Sequence, residues 1–305
     1  ITGKAFDSKY TESWKYFNSV EDGARVSKGW FKVVPAEYLN EDKYNDDEDF
    51  WYYADGSGNL YAGEFKTIKG KKYAFRNDGR MVNGLKFIKG EGTGSLDVKA
   101  DDDDNKPFDD EDRFDENALW YEANGYDCYY FGDGDDGAMR TNKTNVEIDG
   151  ENHNFYFEKS GGKKGAGVTG EKDDKLYQSG MLLKADSDDK YTVVDKETHT
   201  KADGTKYVTY TKLDDAKKFL DSVAHTTPSA NSDGKVTIGG ANTGAVTKKS
   251  DDLKEAYDIT TPSADYFLVN TSGSVVDKKS KSKDGDDYVF VTGSKGVIIG
   301  VYVED

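Results

Sequence analysis

Aromatic residues recur along this chain in short clusters, each followed by a glycine turn. The run Trp-Tyr-Tyr at 51–53 precedes Asp55-Gly56, and the run Tyr-Ala-Phe at 73–75 precedes Asp78-Gly79. Rings placed around one space attract an organic cation by cation–π contacts of about 0.5–2 kcal/mol each. A single ring plane can instead stack on the C–H face of a sugar, while nearby Asp, Asn and Lys side chains bind its hydroxyls. These residue types therefore suit a groove for a small cation or a sugar.

The clusters belong to a sequence unit of about 20 residues. Gly58 and Gly79 are 21 residues apart, and Leu60 and Met81 occupy the same place in their units. An aromatic strand, a glycine turn and a short apolar run predict a β-hairpin, because glycine adopts the positive φ of tight turns. A lone hairpin is marginal in water, so each unit must bury its aromatic face on the next. The repeat predicts a mostly β fold, a solenoid of stacked hairpins.

The run GEFKTIKGKKYAFRNDGRMVNG (residues 63–84) resembles the cell-wall-binding repeat of Gram-positive bacterial surface proteins. The family pattern is a Gly-Trp or Gly-Phe pair, a short turn, an aromatic strand, an Asn/Asp-Gly turn, a methionine and a Thr-Gly pair. This superfamily includes choline-binding modules, glucan-binding repeats and the oligosaccharide-binding repeats of large clostridial toxins. The resemblance is specific over residues 50–88, good over 14–33, weaker over 120–182 and faint beyond 190.

The resemblance also implies which residues form a binding site. In choline-binding relatives the cage takes two aromatic residues from one unit, one from the next and often a methionine. Glu64 stands where a later Gly-Trp pair would place tryptophan, so the resemblance favours a full choline cage only near the first three tryptophans. The candidate ligand-binding residues are Trp14, Trp30, Trp51, Tyr53, Tyr73, Met81, Tyr129 and Met139.

The role implied by the resemblance is non-catalytic attachment of an extracellular, secreted or cell-surface protein. The expected partner is a cell-wall polymer, a glycan or a choline-decorated teichoic acid, with a host surface protein as a further kind of partner. The chain begins Ile-Thr-Gly rather than with methionine, which favours a processed chain whose export signal has been removed.

Two alternatives stay open. The repeats can form a structural stalk or a protein-binding adhesin surface, whose aromatic residues only pack one unit on the next. The C-terminal part, residues 190–305, can hold a hydrolase, which would need two carboxylates about 5–10 Å apart. The sequence has no nucleophile-elbow, metal-helix or phosphate-loop motif, so we expect no enzyme.

Composition argues against several other classes of protein. The 305 residues carry 59 acidic and 42 basic side chains, a formal charge of −17, which disfavours binding to nucleic acid or anionic membranes. No apolar run approaches the ~20 residues of a membrane span. The single cysteine, Cys128, cannot form an intrachain disulfide, and its tyrosine neighbours favour a small buried strand residue. The three histidines are far apart without other ligands at metal-binding spacing, so we expect no metal and no cofactor.

The repeats are expected to fill residues 1–186 as about six imperfect units. Acidic insertions near 35–49 and 97–118 interrupt them, and the second is expected to be an exposed loop. The acidic run 97–116 lacks the ligand spacing of a calcium loop. The segment Gly132–Gly137 is superficially similar to such a loop and is interpreted more simply as a turn lengthened by two residues. Residues 187–305 are expected to form divergent repeats or a small α+β capping domain.

Within the C-terminal part the periodicity predicts two short helices. One covers Leu213–Val223, where apolar residues recur at helical spacing, and the other follows Ser250. Strand-like runs lie between and after them, and the run 288–303 predicts a closing hairpin.

Overall fold

The computed structural model describes residues 2–6, 12–18, 21, 23–213, 215–276 and 282–305, with the backbone alone for 2–6 and 12–14. Among these residues the protein is mostly β, with 24 strands in small antiparallel sheets and three short α-helices. The mostly β class expected from the sequence is therefore confirmed. The chain divides into two compact units, Ile1–Asn152 with Phe157–Gly167, and His153–Tyr156 with Val168–Asp305. The stacked-hairpin solenoid and a division at residue 186 stay predictions.

The first unit is built from short strands and two helices. Its strands are β1 (Thr2–Phe6), β2 (Glu12–Tyr16), β3 (Gly29–Val33), β4 (Phe50–Ala54), β5 (Glu64–Ile68), β6 (Lys71–Phe75), β7 (Leu85–Gly90), β8 (Leu96–Lys99), β9 (Asp127–Tyr130) and β10 (Asn142–Ile148). Its helices are α1 (Glu41–Asn45) and α2 (Glu111–Ala123). Strand β11 (Glu151–Phe157) contributes residues to both units.

Successive antiparallel pairs repeat along this unit, as the sequence predicts. Strand β3 pairs with β4, β5 with β6, and β7 with both β8 and β9. Gly58 and Gly79 both have positive φ, +74° and +88°, in the turns after β4 and β6. Beyond these turns, Leu60 bridges back to the end of β4 and Met81 to the end of β6. The 21-residue offset in the sequence thus corresponds to a repeated strand, turn and bridge.

The two faces of the β3–β4 hairpin pack in different clusters. One face carries Phe31 and Tyr52, whose rings stack with centroids 5.7 Å apart and which pack with Leu60. The opposite face carries two tryptophans and packs on Phe75 and Met81 of the next hairpin. Alternation of side chains along each strand directs these sets to opposite faces.

A further hydrophobic cluster, named the Tyr129 cluster below, joins β5–β6 to β7 and β9. Its buried members are Ala74, Val82, Ile88, Leu96, Tyr129, Phe131 and Ala166, with Phe65, Val98 and Met139 partly buried at its edge. Cys128 is buried in β9, as its tyrosine-rich surroundings predict, and burial raises the pKa of its thiol well above the ordinary value.

The second acidic insertion was expected to be a loop, and that expectation is wrong. Strand β8 and the 13-residue helix α2 both overlap this insertion. Asp110 caps the helix, because its Oδ1 accepts the N–H of Arg113 at 2.8 Å, and acidic side chains in the first turn complement the helix dipole. Phe114, Ala118 and Tyr121 are buried at i, i+4 and i+7. An apolar stripe at helical spacing therefore outweighs the acidic composition.

The second unit combines one helix with several antiparallel sheets. Its strands are β12 (Gly170–Lys172), β13 (Lys175–Gln178), β14 (Met181–Leu182), β15 (Tyr191–Thr200), β16 (Lys206–Leu213), β17 (His225–Thr226), β18 (Lys235–Ile238), β19 (Val246–Lys249), β20 (Leu253–Ile259), β21 (Tyr266–Asn270), β22 (Ser282–Lys283), β23 (Tyr288–Thr292) and β24 (Ile298–Glu304). Its helix is α3 (Ala216–Ser222), close to the predicted span.

The core of the second unit lies where α3 meets two sheets. These sheets have the strand orders β16-β15-β21 and β17-β20-β24-β23-β22. Phe219 and Leu220 of α3 pack with Leu268 of β21 and Phe290 of β23. Strands β23 and β24 pair as the predicted closing hairpin.

The helix predicted after Ser250 is wrong. Ser250–Asp252 forms a single 3-10 turn, and Leu253–Ile259 continues as β20. This strand pairs with β24 from Leu253 to Asp258, so sheet pairing overrides the helical spacing of its apolar residues. In the part of the chain that the structure describes, no helix combines the length and apolar character needed to cross a membrane.

Candidate functional site

A cavity of about 250 Å³ opens in the first unit beside the β3–β4 and β5–β6 hairpins. It is named the aromatic pocket below. Its lining consists of Trp30, Trp51, Tyr73, Met81, Asp135, Asp136 and Gly137. At roughly 30 Å³ per water molecule, the space suits a small organic cation or one sugar ring.

The strand register places the two tryptophans on one face. Trp30 lies opposite Tyr53 and Lys32 lies opposite Trp51, so these four side chains share a face of β3–β4. Tyr73 comes from β6 of the next hairpin. The pocket therefore draws two rings from one hairpin and one from the following hairpin.

The rings of the pocket stand at steep angles to one another. The Trp30 and Trp51 rings are nearly perpendicular, at 88°, with centroids 6.4 Å apart. The Trp30 and Tyr73 centroids are 4.9 Å apart at 61°. Rings at such angles can face one point from several sides, whereas a sugar ring needs one open plane. This arrangement suits a compact cation better than a pyranose, which stacks its C–H face on one ring plane.

Met81 forms a further wall and is fixed by the backbone. Its N–H donates to the carbonyl of Trp51 at 2.8 Å, and the residue is only 8% exposed. Gly137 lies against it, because a Cβ at this position would overlap Met81 Sδ. Glycine is therefore required if the loop is to approach the thioether this closely.

The segment Gly132–Gly137 supplies the polar side of the pocket and is named the acidic loop below. The N–H of Gly84 donates to the Gly132 carbonyl at 2.7 Å, and Asn83 Nδ2 donates to the Gly134 carbonyl at 2.8 Å. The turn expected from the sequence is thus attached to the segment after the β5–β6 hairpin. Its role in the pocket is a feature that the sequence reasoning missed.

Asp135 is held by an ion pair at the pocket. Its Oδ1 is 3.0 Å from Lys32 Nζ, and its side chain is 66% exposed. This contact holds the pKa of the Asp135 carboxyl below its ordinary value. The indole N–H of Trp51 also lowers that pKa, although Trp51 Nε1 is buried and makes no hydrogen bond of normal geometry. The carboxylate is therefore ionised at neutral pH.

Asp136 is more firmly engaged than its neighbour. Its Oδ2 lies 2.5 Å from a guanidinium nitrogen of Arg140, and its Oδ1 accepts the N–H of Ala138 at 3.1 Å. Burial raises the pKa of the Tyr73 hydroxyl, and the nearby Asp136 charge raises it further. Tyr73 is therefore neutral over the physiological pH range and contributes a ring with a polar tip.

The structure brings together four of the eight predicted site residues, namely Trp30, Trp51, Tyr73 and Met81. Tyr53 packs against Trp30 at a centroid distance of 5.0 Å and stacks on Tyr61, so it supports the pocket without lining it.

The remaining predicted residues lie elsewhere in the first unit. Tyr129 and Met139 belong to the Tyr129 cluster, where the Phe65 and Tyr129 rings are 5.2 Å apart. Trp14 lies in β2, and its side chain is outside the described part of the chain.

The second unit has a small acidic cavity that bears on the hydrolase alternative. Four of its lining residues are Asp189, Asp215, Asp284 and Asp286. Its volume is about 10 Å³, room for roughly one water molecule and not for a sugar. Burial raises the pKa of the Asp284 carboxyl to about 6, while its Oδ1 accepts backbone N–H groups from Asp286 and Tyr288. Those bonds are typical of a turn-forming aspartate.

No protein-family model matches the sequence, and the comparison with curated proteins finds no significant match. Among solved structures, choline binding protein F from Streptococcus pneumoniae, crystallised with a peptidoglycan analogue, is 18% identical with a TM-score of 0.34. The alignment covers 68% of this chain and 52% of that one, so this chain spans about half the length of its relative.

Two further solved structures are similar, one over part of this chain and one over nearly all of it. The cell-wall endolysin from phage Cp-1, complexed with choline, is 16% identical with a TM-score of 0.25, covering 61% of this chain and 38% of that one. Alternansucrase in complex with isomaltononaose is 13% identical with a TM-score of 0.22, covering 97% of this chain and 16% of that one. At these identities and TM-scores the similarities do not assign the chain to a family.

Proposed function

We propose that this chain is a non-catalytic attachment module that binds a cationic group of a cell-wall polymer in the aromatic pocket. The observation that carries this proposal is the pocket itself, with the Trp30 ring at 88° to Trp51 and 61° to Tyr73, and Met81 as a further wall. A positively charged group enclosed by such rings is attracted to several ring faces at once.

The affinity of one such site can be estimated from its number of rings. At about 0.5–2 kcal/mol per ring, three rings give an attraction near that of a millimolar dissociation constant, about 4 kcal/mol. A single weak site would not anchor a protein. A polymer that repeats its cationic group, or several copies of the module on one surface, would raise the effective affinity through multivalency. A wall polymer with a repeated substituent such as choline therefore fits the pocket better than a free metabolite.

The state of the carboxylates disfavours one catalytic role, that of a general acid. Asp135 is ion-paired with Lys32, and Asp136 with Arg140. The lowered pKa of Asp135 keeps it ionised and makes it a poor general acid.

The wider setting of the module is part of the same proposal. We place it outside the cell, where wall polymers are accessible, and take its successive hairpins to continue as a solenoid of imperfect repeats. The observation that supports this architecture is the recurrence of strand, glycine turn and bridge after β4 and after β6.

The proposal is tested by titrating the protein with choline while recording tryptophan fluorescence. Two of the four tryptophans line the pocket, so their emission reports on its occupancy. We expect one site with a dissociation constant near 1 mM, and a loss of binding of tenfold or more in Trp30→Leu. The matched control is Trp120→Leu, since Trp120 is a 40% exposed tryptophan on α2 and does not line the pocket.

A second arm of the experiment separates the alternatives. Sedimentation with purified Gram-positive cell walls should deplete the wild-type protein from solution, and free choline should release it. Binding that neutral oligosaccharides displace and choline does not would favour a glycan site. No binding to cations, glycans or walls, together with a loss of stability in Trp30→Leu, would favour the structural stalk.

A further inference from the structure

The aromatic pocket differs from a purely aromatic cage because one side of it is charged. Two of its seven lining residues are the carboxylates Asp135 and Asp136, which are adjacent in the acidic loop. Their ion-pair partners, Lys32 and Arg140, are not among the lining residues, although Lys32 Nζ also lies 5.9 Å from the centroid of the Trp51 ring. A cation in the pocket would therefore face ring surfaces on one side and carboxylate oxygens on the other.

Asp135 has the greater capacity to accept a hydrogen bond from a ligand. Lys32 occupies one of its oxygens, Oδ1, at 3.0 Å, and the side chain is 66% exposed. An ionised carboxylate offers about four acceptor positions on its two oxygens. Asp136 has less to offer, since Arg140 and the Ala138 N–H engage both of its oxygens.

We infer that Asp135 selects the kind of cation, so that the pocket favours a protonated amine with at least one N–H over a quaternary ammonium. This inference rests on the proposed cation site. The N–H of such an amine donates to Asp135 in a charge-assisted hydrogen bond, while its methyl or methylene groups contact Trp30, Trp51 and Tyr73. The ligand class is primary to tertiary ammonium, as in ethanolamine, its N-methylated forms or an amino sugar.

Two effects oppose each other in this selection. An ammonium with N–H groups is more strongly hydrated than a quaternary one, so a cage made only of rings favours the quaternary ion. A quaternary ion presents only C–H groups to Asp135 and gains no such hydrogen bond. The carboxylate therefore reverses the preference that the rings alone would give.

The test compares choline with N,N-dimethylethanolamine, which differs by one N–H in place of one methyl group. Both are titrated at pH 7 by tryptophan fluorescence into the wild-type chain, Asp135→Asn and Asp46→Asn. Asp46 is the matched control: its side chain is 57% exposed, ion-paired with Lys43 at 3.2 Å, and outside the pocket. Thermal unfolding of each variant verifies that it is folded.

We expect the wild-type chain to bind dimethylethanolamine about 3- to 10-fold more tightly than choline, as one charge-assisted hydrogen bond at a half-open site would give. In Asp135→Asn the order should reverse, and in Asp46→Asn it should not change. A wild-type preference for choline, or a ratio that Asp135→Asn leaves within twofold, would overturn the inference and leave the cation site standing. Failure of both cations to bind would overturn the proposed function, and this inference with it.

Discussion

Two methionines of the first unit occupy matching places in the repeat and differ in what surrounds them. The N–H of Met81 donates to the Trp51 carbonyl, and that of Met139 donates to the Lys72 carbonyl, both at 2.8 Å. Each thioether lies against a glycine, since a Cβ on Gly137 would overlap Met81, and one on Gly165 would overlap Met139. Met81 lines the aromatic pocket, whereas Met139 packs at the edge of the Tyr129 cluster.

The difference follows from the rings that the neighbouring hairpins supply. Trp30, opposite Tyr53 in the β3–β4 hairpin, corresponds to Phe65, opposite Ala74 in the β5–β6 hairpin, so a ring is present at both places. Trp51, whose carbonyl accepts the Met81 N–H, corresponds to Lys72, whose carbonyl accepts the Met139 N–H, and Lys72 offers no aromatic wall. The repeated backbone thus provides the methionine–glycine contact at both places. The identity of one strand residue decides whether a ring is available to enclose a ligand.

The largest effect on stability is expected from truncating two buried isoleucines, one near the pocket and one away from it. Ile88 is 3% exposed in the Tyr129 cluster, and Ile68 is 6% exposed in the cluster that includes Trp30 and Tyr73. Truncating either to alanine should lower the free energy of unfolding by about 2–5 kcal/mol, because each leaves a cavity. Urea unfolding measures that loss. Only Ile68→Ala should weaken choline binding by the folded protein, and equal weakening in Ile88→Ala would contradict the separation of the two regions.

Alanine substitutions of the two glycines test the same comparison, with an expected effect of intermediate size. Gly165 has a φ of +87°, so Gly165→Ala should cost about 1–2 kcal/mol of stability and leave cation affinity unchanged. Gly137 has no such backbone constraint, so Gly137→Ala should cost only the strain of displacing Met81, about 1 kcal/mol. Its added methyl group should push Met81 into the pocket and weaken cation binding. Thermal unfolding and fluorescence titration of both variants measure the two effects, and a reversed pattern would break the comparison.

The smallest expected effect is a difference between two tyrosines at alkaline pH. Burial raises the pKa of the Tyr129 hydroxyl above its ordinary value of 10.0, and the charge of Asp127 adds to the shift. Above pH 10 the unfolded chain therefore binds fewer protons at this position than the folded chain, so stability falls as pH rises. One proton bound by the folded chain and not by the unfolded chain lowers the free energy of unfolding by at most about 1.4 kcal/mol per pH unit.

Tyr129→Phe should reduce the pH dependence of the free energy of unfolding between pH 10 and 11.5 by up to about 1.4 kcal/mol per pH unit, as measured by urea unfolding at several pH values. Other buried tyrosines with raised pKa values, among them Tyr52 and Tyr121, account for the slope that remains. The matched variant is Tyr73→Phe. The pKa of Tyr73 is also raised, first by burial and then by Asp136, but its side chain is more exposed than that of Tyr129. Tyr73→Phe should therefore reduce the pH dependence of the free energy of unfolding less than Tyr129→Phe does. An equal or larger reduction would show that the pocket is as closed as the Tyr129 cluster.

Much of the first unit could be predicted because its signals are local. The glycine turn and the following apolar residue recur at a fixed offset, and they set the bridge of Met81 to β6. Helix α2 was missed because the acidic composition of its segment favours a loop, whereas the spacing of Phe114, Ala118 and Tyr121 is the signal that indicates the helix. Strand β20 was missed because its pairing with β24 joins residues far apart in the chain, which a local pattern does not contain.

The candidate site also combines residues that local sequence signals predict with residues that they do not. Four of its residues follow from the repeat and the family resemblance, because they come from two consecutive hairpins. Asp135, Asp136 and Gly137 were missed as site residues, since they reach Met81 from about 55 positions further along the chain. The adjacent aspartates before a glycine were visible in the sequence, but the pattern carries no indication of which hairpin the loop contacts.

The most direct test of the cation site is nuclear Overhauser spectroscopy of the protein saturated with N,N-dimethylethanolamine. We expect contacts from the ligand methyl protons to the indole protons of Trp30 and Trp51 and to the ring protons of Tyr73. We expect none to the ring protons of Tyr129 or Trp120. Contacts confined to Tyr129 or Trp120, or no contacts at saturating ligand, would contradict the cation site.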